Sequence, residues 1–507
     1  MDSMNESKKL YRKLSSVLAL AQVVLLSVSW AWAQMSAQAP QTGTGTAPAA
    51  QGSEQDQKTA SPDTIGEQKI SPKEAEELFH DVDQILQFAS KDTGLPIKEE
   101  VKRRLTSRDQ VVAYLEKNMS EDKDAQRLRR SELVLKKFGL LPRDFDLQTF
   151  LVALLREQVA GYYDVKTKTV NLLDWIDIEQ QRPVLAHELT HALQDQSFGL
   201  EKWMKAGDID LEEKKQPTPA DIENDEVSEA RQAVVEGQAM VVLVDYMLAP
   251  TGQSLLGSPQ IADALKAGML VGTADSPEFA NAPIFLKEEL TFPYRYGLDF
   301  ETELLRTGGK EKAFAATLDN PPRTTRQIME PKTYLSGECL EPIRLPDFQR
   351  DFKNYERFDV GAIGEFDVAI LVDQYAGTDA SHNLYPSWRG GYYYAVRPKS
   401  DPSAPLGLLY FSRWASHEKA AAFAAIYAQS LAKRYKHVHE VAPEKTDPSG
   451  TLQKLESLTG THTWMTEEGP VVIDVERDSV LITESLDQST TEQLGQELFA
   501  AFVAAGK

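Results

Sequence analysis

The chain has 507 residues, enough for up to about three domains that each bury a hydrophobic core. Hydrophobic residues make up 41% and charged residues 26%, a globular composition that excludes a fully disordered chain and a multispan membrane protein. The formal net charge of −22 argues against nucleic-acid binding, and the single cysteine, Cys339, excludes an intramolecular disulfide.

Residues 1–33 have the features of a secretory signal peptide. Basic residues between Lys8 and Lys13 precede an apolar run from Val17 to Val28, and residues 31–33 (Ala-Trp-Ala) have the small side chains that signal peptidase accepts. The alternative is an uncleaved N-terminal membrane anchor. Cleavage is favoured because polar sequence follows at once. We therefore expect a protein exported to a bacterial periplasm or exterior, without membrane association after cleavage.

Ordered structure is expected to begin after a low-complexity segment. Residues 34–70 consist largely of Gln, Ala, Thr, Gly, Ser and Pro, which predicts a disordered linker. At Ser71, a Ser-x-x-Glu capping box with Glu74 and a proline at the first helical position predict a helix start. Further helical patterns run from about 101 to 141 and from 144 to 159.

The middle of the chain combines a predicted β-hairpin with long helices. Tyr162 to Leu172 has aromatic and β-branched residues on both sides of a polar turn, which is typical of a hairpin. Helices are predicted at 183–196 and 226–248, and the charged segment 201–225 between them is expected to form a surface loop.

The pattern of predicted secondary structure changes after about residue 345. Helix and strand patterns mix there, ending in strands at Val471–Val475 and Val480–Ile482 and a final helix after Ser489. We predict an α+β fold with a mainly helical domain containing a small β-hairpin or sheet at 71–341, and a smaller α+β domain at 342–507. The second domain shows no catalytic motif and is interpreted as a module for substrate capture, inhibition or partner binding.

The strongest chemical motif is His187-Glu188-Leu189-Thr190-His191. On a helix, side chains at i and i+4 share a face, so both imidazoles can bind one metal ion while Glu188 acts on a water held by that ion. The alternative is a helix whose histidines are solvated or satisfied in the core. It is disfavoured because polar side chains in an apolar helix are costly to bury without a ligand.

A hydrolytic zinc site needs a third protein ligand. Gln194 and Ser197 occupy the positions where an extended motif would have glycine and histidine, so this ligand must lie elsewhere. Glu236, in the middle of an apolar helix, is the predicted ligand because its carboxylate requires a counter-charge, and Glu229 is the rival. Gly237 is expected to let this helix approach the histidine helix closely.

The motif followed by a glutamate on a later helix resembles the gluzincin branch of zinc metallopeptidases. Segments 156–164, 184–196 and 236–239 resemble a poorly characterised set of exported bacterial proteins in that branch, and the resemblance covers about residues 140–335. It implies that residues 71–341 form a zincin-like metallopeptidase domain with one Zn²⁺ per chain, bound by His187, His191 and Glu236.

The chain differs from thermolysin-like members of that branch at one supporting position. Those members place an aspartate four residues after the glutamate ligand to orient a histidine, whereas this chain has Met240. The orienting side chain is therefore expected elsewhere, with Asp195 or Glu229 as candidates.

These observations predict a zinc-dependent peptidase that hydrolyses peptide bonds with a metal-activated water and Glu188 as general base. A peptide or protein is the expected substrate, and the hairpin either binds it as an extended strand or only covers the helix. Tyr294 and Tyr296 are the candidate oxyanion donors, although aromatic residues beside a proline also serve packing.

The alternative function is a non-catalytic exported binding or assembly protein with a structural metal site. Structural zinc sites usually have four protein ligands, often cysteines. No cysteine lies near the motif, and Glu188 stands where a general base is expected. The sequence therefore favours catalysis.

Overall fold

The computed structural model of the chain describes residues 69–111, 113, 122–158, 161–205, 216–271, 276–441 and 456–504. The predicted signal peptide and nearly all of the predicted linker lie outside these residues. Helices and strands occur together, and the predicted α+β class is confirmed.

Ten longer helices and ten strands make up most of the described residues. The helices are α1 (Pro72–Thr93), α2 (Asp122–Phe138), α3 (Leu147–Gln158), α4 (Ile178–Phe198), α5 (Pro219–Leu248), α6 (Pro259–Val271), α7 (Ile284–Glu311), α8 (Glu365–Ala376), α9 (His417–Arg434) and α10 (Gln488–Ala504). The strands are β1 (Lys102–Thr106), β2 (Tyr162–Asp164), β3 (Thr169–Leu173), β4 (Tyr355–Ala362), β5 (Trp388–Pro398), β6 (Gly407–Trp414), β7 (Val438–Glu440), β8 (Gly460–Thr466), β9 (Gly469–Glu476) and β10 (Ser479–Glu484). Short helical segments lie at Leu200–Met204, Ala249–Thr251, Leu255–Gly257, Pro277–Ala280, Lys312–Ala316, Thr317–Asp319, Thr325–Met329, Pro331–Leu335, Phe348–Asp351, Thr378–Leu384 and Tyr385–Ser387.

The predicted helix start at Ser71 is confirmed. Ser71 N donates to Glu74 Oε2 at 2.6 Å, and Glu74 N donates to Ser71 Oγ at 3.3 Å, which completes the capping box. Leu78, Val82 and Ile85 on the apolar face of α1 are buried. The local sequence is sufficient here because the cap and the helical spacing both act within a few residues.

A three-stranded sheet precedes the histidine helix. The predicted hairpin is confirmed, with β2 and β3 antiparallel and Tyr163 opposite Val170. The predicted helical pattern from residue 101 is wrong at its start, since β1 forms there and pairs in parallel with β3. A five-residue strand of this kind depends on a partner far along the chain, which local periodicity does not reveal. The order β1–β3–β2 leaves β2 at an edge of this sheet.

Helix α5 begins earlier than predicted. Thr218 Oγ1 accepts from Asp221 N and Asp221 Oδ2 accepts from Thr218 N, a capping box with Pro219 at the first helical position. The expected surface loop at 201–225 is therefore partly helical, and Ile222 within it is buried. Three of the charged residues that suggested a loop, Asp221, Glu223 and Asp225, lie in the first turns of this long helix.

The close approach at Gly237 is to a different helix from the one expected. A Cβ added at Gly237 would lie 2.4 Å from the carbonyl of Gly297 on α7, and one added at Gly297 would lie 2.2 Å from Ala233 O. The expectation that Gly237 serves the contact with the histidine helix is thus wrong. The two glycines let the backbones of α5 and α7 touch, and α7 carries the two candidate tyrosines.

Strands β4 to β10 form a seven-stranded antiparallel sheet in the order β4–β5–β6–β10–β9–β8–β7. The strands predicted near 471–475 and 480–482 are confirmed as β9 and β10, and α10 is the predicted final helix. The hydrophobic core is continuous across residue 341. The rings of Phe292 and Phe366, one on each side of it, have centroids 4.1 Å apart.

The helix from Pro219 to Thr251 is long and apolar enough to cross a membrane. Its most apolar window is 67% buried inside the protein, as expected for the core helix of a globular domain. Its length and composition are therefore weak evidence for a membrane span.

Candidate metal centre

Helix α4 places two imidazoles at one buried location. It begins at Ile178, before the predicted start at Pro183, because Asp177 caps it by accepting from Glu179 N at 2.9 Å. Its histidines, His187 and His191, are one turn apart, and the side chain of His187 is 2% exposed. Burial at this depth strengthens every electrostatic interaction of the ring.

Helix α5 packs against α4 and supplies the predicted carboxylate. Potential ligand atoms of His187, His191 and Glu236 all lie within 4.8 Å of one another. Glu229, the rival, does not belong to this group. Across the described ranges, these three are the one set of His, Cys, Asp and Glu side chains that converges in this way.

The three ligand atoms form a triangle of the size that zinc requires. The distance from His187 Nε2 to Glu236 Oε2 is 3.1 Å, from His191 Nε2 to His187 Nε2 is 3.1 Å, and from His191 Nε2 to Glu236 Oε2 is 3.4 Å. Tetrahedral zinc with bonds of about 2.0–2.1 Å separates neighbouring ligand atoms by about 3.3 Å. Two imidazole nitrogens and one carboxylate oxygen are also ligand types that zinc accepts. The residues present therefore fit a zinc ion.

The electrostatics of the three side chains favour a bound cation. Burial opposes charge on His191, but Glu236 overcomes this effect and raises the pKa of His191 to about 9. Burial lowers the pKa of His187. Burial also opposes the charge on Glu236, but His191 and His187 together lower its pKa to about 2. A carboxylate that stays ionised at this depth requires a positive partner beside it.

The side chain of Glu188, on α4, reaches the hairpin strand β2. Tyr163 N on β2 donates to Glu188 Oε2 at 2.8 Å. Burial raises the pKa of Glu188 to about 7, although the nearby His191 and the Tyr163 amide act in the opposite direction. A carboxylate with a pKa near neutrality can both take and return a proton, which is what general acid–base catalysis requires.

The structure separates the two candidate tyrosines. Tyr294 is 3% exposed, and its ring stacks along that of His187 with centroids 6.1 Å apart. Burial, together with the negative charges of Glu236 and Glu188, raises the pKa of Tyr294 well above its usual value. Its hydroxyl therefore remains protonated beside the triad and is able to donate.

Tyr296 has a different environment. Its ring centroid lies 5.2 Å from that of Phe292 and 6.0 Å from that of Phe366. Positions i and i+2 of a helix point in widely different directions, so Tyr294 and Tyr296 cannot serve one site. The sequence could not choose between them, because the choice depends on which face of α7 meets α4 and α5.

Asp195 does not orient a histidine, contrary to one of the two expectations. Tyr163 Oη donates to its Oδ2 at 2.9 Å, Lys168 Nζ forms an ion pair with the same oxygen, and Leu200 N donates to Oδ1 at 3.0 Å. Asp195 thus fastens the hairpin to the end of α4. It positions the strand that holds Glu188 rather than the metal ligands.

Gln194 is the side chain that contacts His191, and the sequence interpretation did not assign it. His191 Nδ1 lies 2.9 Å from Gln194 Oε1. The available signal was a glutamine three residues after His191, on the same face of the helix. The Nδ1 atom of His187 is buried and has no hydrogen bond of normal geometry within the described residues.

The arrangement combines a zinc-sized triad, a carboxylate with a pKa near neutrality and a protonated tyrosine. A fold alone does not establish function, so the case rests on the chemistry of this site. Comparisons with family models, with curated proteins and with solved structures found no match to this chain.

Proposed function

We propose that this chain is an exported zinc-dependent peptidase with a zincin-like, gluzincin-type active site. The observation that carries the proposal is the triangle of His187, His191 and Glu236, with ligand atoms 3.1–3.4 Å apart, directly beside Glu188. A site that only binds zinc for stability needs neither a second, non-ligating carboxylate of raised pKa nor a protonated tyrosine next to the ligands.

His187, His191 and Glu236 would hold the metal through Nε2, Nε2 and Oε2. Bound there, zinc would supply Lewis acidity, which polarises a substrate carbonyl and lowers the pKa of water. The burial of the three side chains restricts water around the ligands. Their mutual contacts also hold them in place before the metal arrives.

Glu188 would act as the general base. Its Oε2 is held by Tyr163 N, which leaves Oε1 to accept a proton from the attacking water. A pKa near 7 allows the same carboxyl group to give that proton to the leaving amine. The proton therefore moves from water to Glu188 and from Glu188 to the nitrogen of the cleaved peptide bond.

Tyr294 would stabilise the developing oxyanion. Its hydroxyl is protonated, buried and close enough to Glu236 and Glu188 for their charges to raise its pKa. A donor in a site of low dielectric is most effective where negative charge develops during the reaction.

Strand β2 supports an extended peptide as the substrate. Asp164 O accepts from Lys168 N across the hairpin, so the neighbouring Tyr163 directs its amide away from β3 and toward Glu188. The carbonyl of a strand residue points to the same side as its amide. The edge of β2 would then pair with a substrate strand through main-chain hydrogen bonds.

Export rests on the leader-like residues 1–33, which lie outside the described residues. The net charge of −22 is unfavourable for a nucleic-acid partner. We therefore propose a peptide or protein substrate met outside the bacterial cytoplasm.

The decisive experiment is Glu188→Gln, with Glu179→Gln as the matched control on the exposed side of the same helix. A peptide library is incubated with the zinc-loaded wild type, with both variants and with a chelator, and zinc content is measured for each protein. We expect wild type and Glu179→Gln to cleave, the chelator to abolish cleavage, and Glu188→Gln to bind zinc but lose activity.

Two results would contradict the proposal. One is cleavage by Glu188→Gln at the wild-type rate. The other is a zinc-loaded wild type that cleaves no member of the library, which would favour the non-catalytic alternative.

A further inference from the structure

We infer that Gln194 and Gln238 are positioning residues that select the tautomer of His191. They form a hydrogen-bonded relay from backbone carbonyls at residues 313–314 to His191 Nδ1. This inference rests on the proposed zinc site. It adds residues that neither touch the metal nor belong to the motif that indicated it.

The relay begins at groups that can only accept. Gln238 Nε2 donates to Ala313 O at 2.8 Å and to Phe314 O at 3.2 Å. Both carbonyls belong to Lys312–Ala316, a π-helical turn, and such turns occur often at functional sites. Because a carbonyl oxygen has no proton to give, the amide nitrogen of Gln238 must face these two groups.

The orientation of the Gln238 amide then fixes the orientation of the Gln194 amide. Because Gln238 Nε2 donates to the two carbonyls, its Oε1 faces the other way and accepts from Gln194 Nε2 at 2.9 Å. Gln194 Nε2 also donates to a second acceptor, the backbone carbonyl Val235 O, at 3.1 Å, which forbids a flipped amide. Gln194 must therefore turn its own Oε1 toward the histidine.

The end of the relay determines which nitrogen of His191 carries the proton. Gln194 Oε1 lies 2.9 Å from His191 Nδ1, and an oxygen acceptor requires a proton on that nitrogen. The neutral ring consequently keeps its lone pair on Nε2, the atom that points at His187 and Glu236. Neutral imidazole with a free Nε2 is the form that binds zinc.

Burial makes it energetically costly to reverse either amide in this relay. Gln194 and Gln238 are both fully buried, so water cannot replace a lost partner. A reversed amide at either position would oppose two oxygens in the interior, and an unsatisfied buried polar group costs about 1–3 kcal/mol. When the His191 ring gives up a proton to bind zinc, the proton on Nδ1 is therefore the one that is kept.

The test compares Gln194→Leu, Gln194→Glu and Gln196→Leu. Leucine at position 194 removes the acceptor, whereas glutamate keeps an oxygen facing Nδ1. Gln196, two residues further on, holds the backbone of Lys98 and Glu99 and serves as the matched control, since its loss removes hydrogen bonds away from the metal. Zinc affinity is measured by competition with a chromophoric chelator, and ring-nitrogen NMR of the zinc-loaded proteins reports the proton on His191 Nδ1.

We expect Gln194→Leu to weaken zinc binding by about 10–100-fold, the usual effect of removing a side chain that orients a metal ligand. Gln194→Glu should bind zinc more tightly than Gln194→Leu because it keeps an oxygen facing Nδ1, but less tightly than wild type because its second oxygen faces Val235 O and Gln238 Oε1. Gln196→Leu should not change the affinity. The wild-type spectrum should show a hydrogen-bonded proton on Nδ1 of His191.

Equal zinc affinity of Gln194→Leu and wild type would overturn the inference, as would a wild-type spectrum without a proton on Nδ1. Either result leaves the peptidase proposal intact. A wild type that binds no zinc would instead refute the metal site itself. If Gln194→Leu does not fold, the wild-type spectrum still decides.

Discussion

Substituting Gly237 with alanine tests whether the contact between α5 and α7 supports the site. The added Cβ would lie 2.4 Å from the carbonyl carbon and oxygen of Gly297 and 2.8 Å from its Cα. Ordinary carbon contacts are about 3.5–4.0 Å, so the two backbones must separate by about 1 Å. Neither contact is the end of a flexible side chain that could move aside.

The magnitude follows from two opposing effects. Overpacking of this kind costs about 1–3 kcal/mol. Replacing a helical glycine with alanine contributes about 0.5–1 kcal/mol in the stabilising direction. We therefore expect Gly237→Ala to lower the free energy of unfolding by about 1–2 kcal/mol. Zinc affinity should also fall, because Glu236 is the adjacent residue on α5.

Gly495 provides a matched control in another helix. A Cβ there would meet its nearest neighbour, Leu481 Cδ2, at 3.8 Å, which is an ordinary contact. Gly495→Ala should thus stabilise the protein by about 0.5–1 kcal/mol. Urea unfolding followed by tryptophan fluorescence, with chelator competition for zinc, measures both variants. A Gly237→Ala protein as stable as Gly495→Ala, with unchanged zinc affinity, would refute the reasoning.

Three further predictions test other parts of the structure. Tyr294→Phe should reduce kcat by about 10²–10³-fold with unchanged zinc content, whereas Tyr296→Phe should leave steady-state kinetics unchanged. Burial raises the pKa of Asp245 to about 6, above its value of about 4 in the unfolded chain, so this residue's ionisation removes stability as pH rises from about 4 to 6. Asp245→Asn should therefore gain about 1 kcal/mol of stability at pH 7 and nothing at pH 4, measured by urea unfolding at both values. Arg434→Met should destabilise the protein by about 3–5 kcal/mol in the same assay, because it removes the guanidinium whose Nη2 donates to both oxygens of the buried Glu484 carboxylate.

Each of these three predictions would be contradicted by a specific result. Equal kinetic losses in Tyr294→Phe and Tyr296→Phe would mean that neither hydroxyl acts on the substrate specifically. A pH-independent effect of Asp245→Asn would show that ionisation is not the cause of its influence. An Arg434→Met protein of normal stability would show that other donors, such as the hydroxyls of Tyr427 and Tyr435, suffice for Glu484.

Much of the local structure was predictable from short-range patterns. The capping box at Ser71, the hairpin around Tyr163 and the late strands β9 and β10 all appear where the sequence indicates them. Two predictions failed for different reasons. Strand β1 exists because the distant strand β3 pairs with it. The early start of α5 depends on a local cap, which was missed because the charges around it suggested a loop.

The sequence by itself determined that two imidazoles share a helix face with Glu188 between them, because the helical repeat is a local property of the backbone. It also made Glu236 the natural third ligand, since an isolated carboxylate in an apolar helix needs a positive partner. The packing of α4, α5 and α7 decided the rest. It brought Glu236 to the histidines, placed Tyr294 and not Tyr296 beside them, and let two buried glutamines face His191. Such choices depend on contacts between helices separated by tens of residues, which helical periodicity within each segment does not encode.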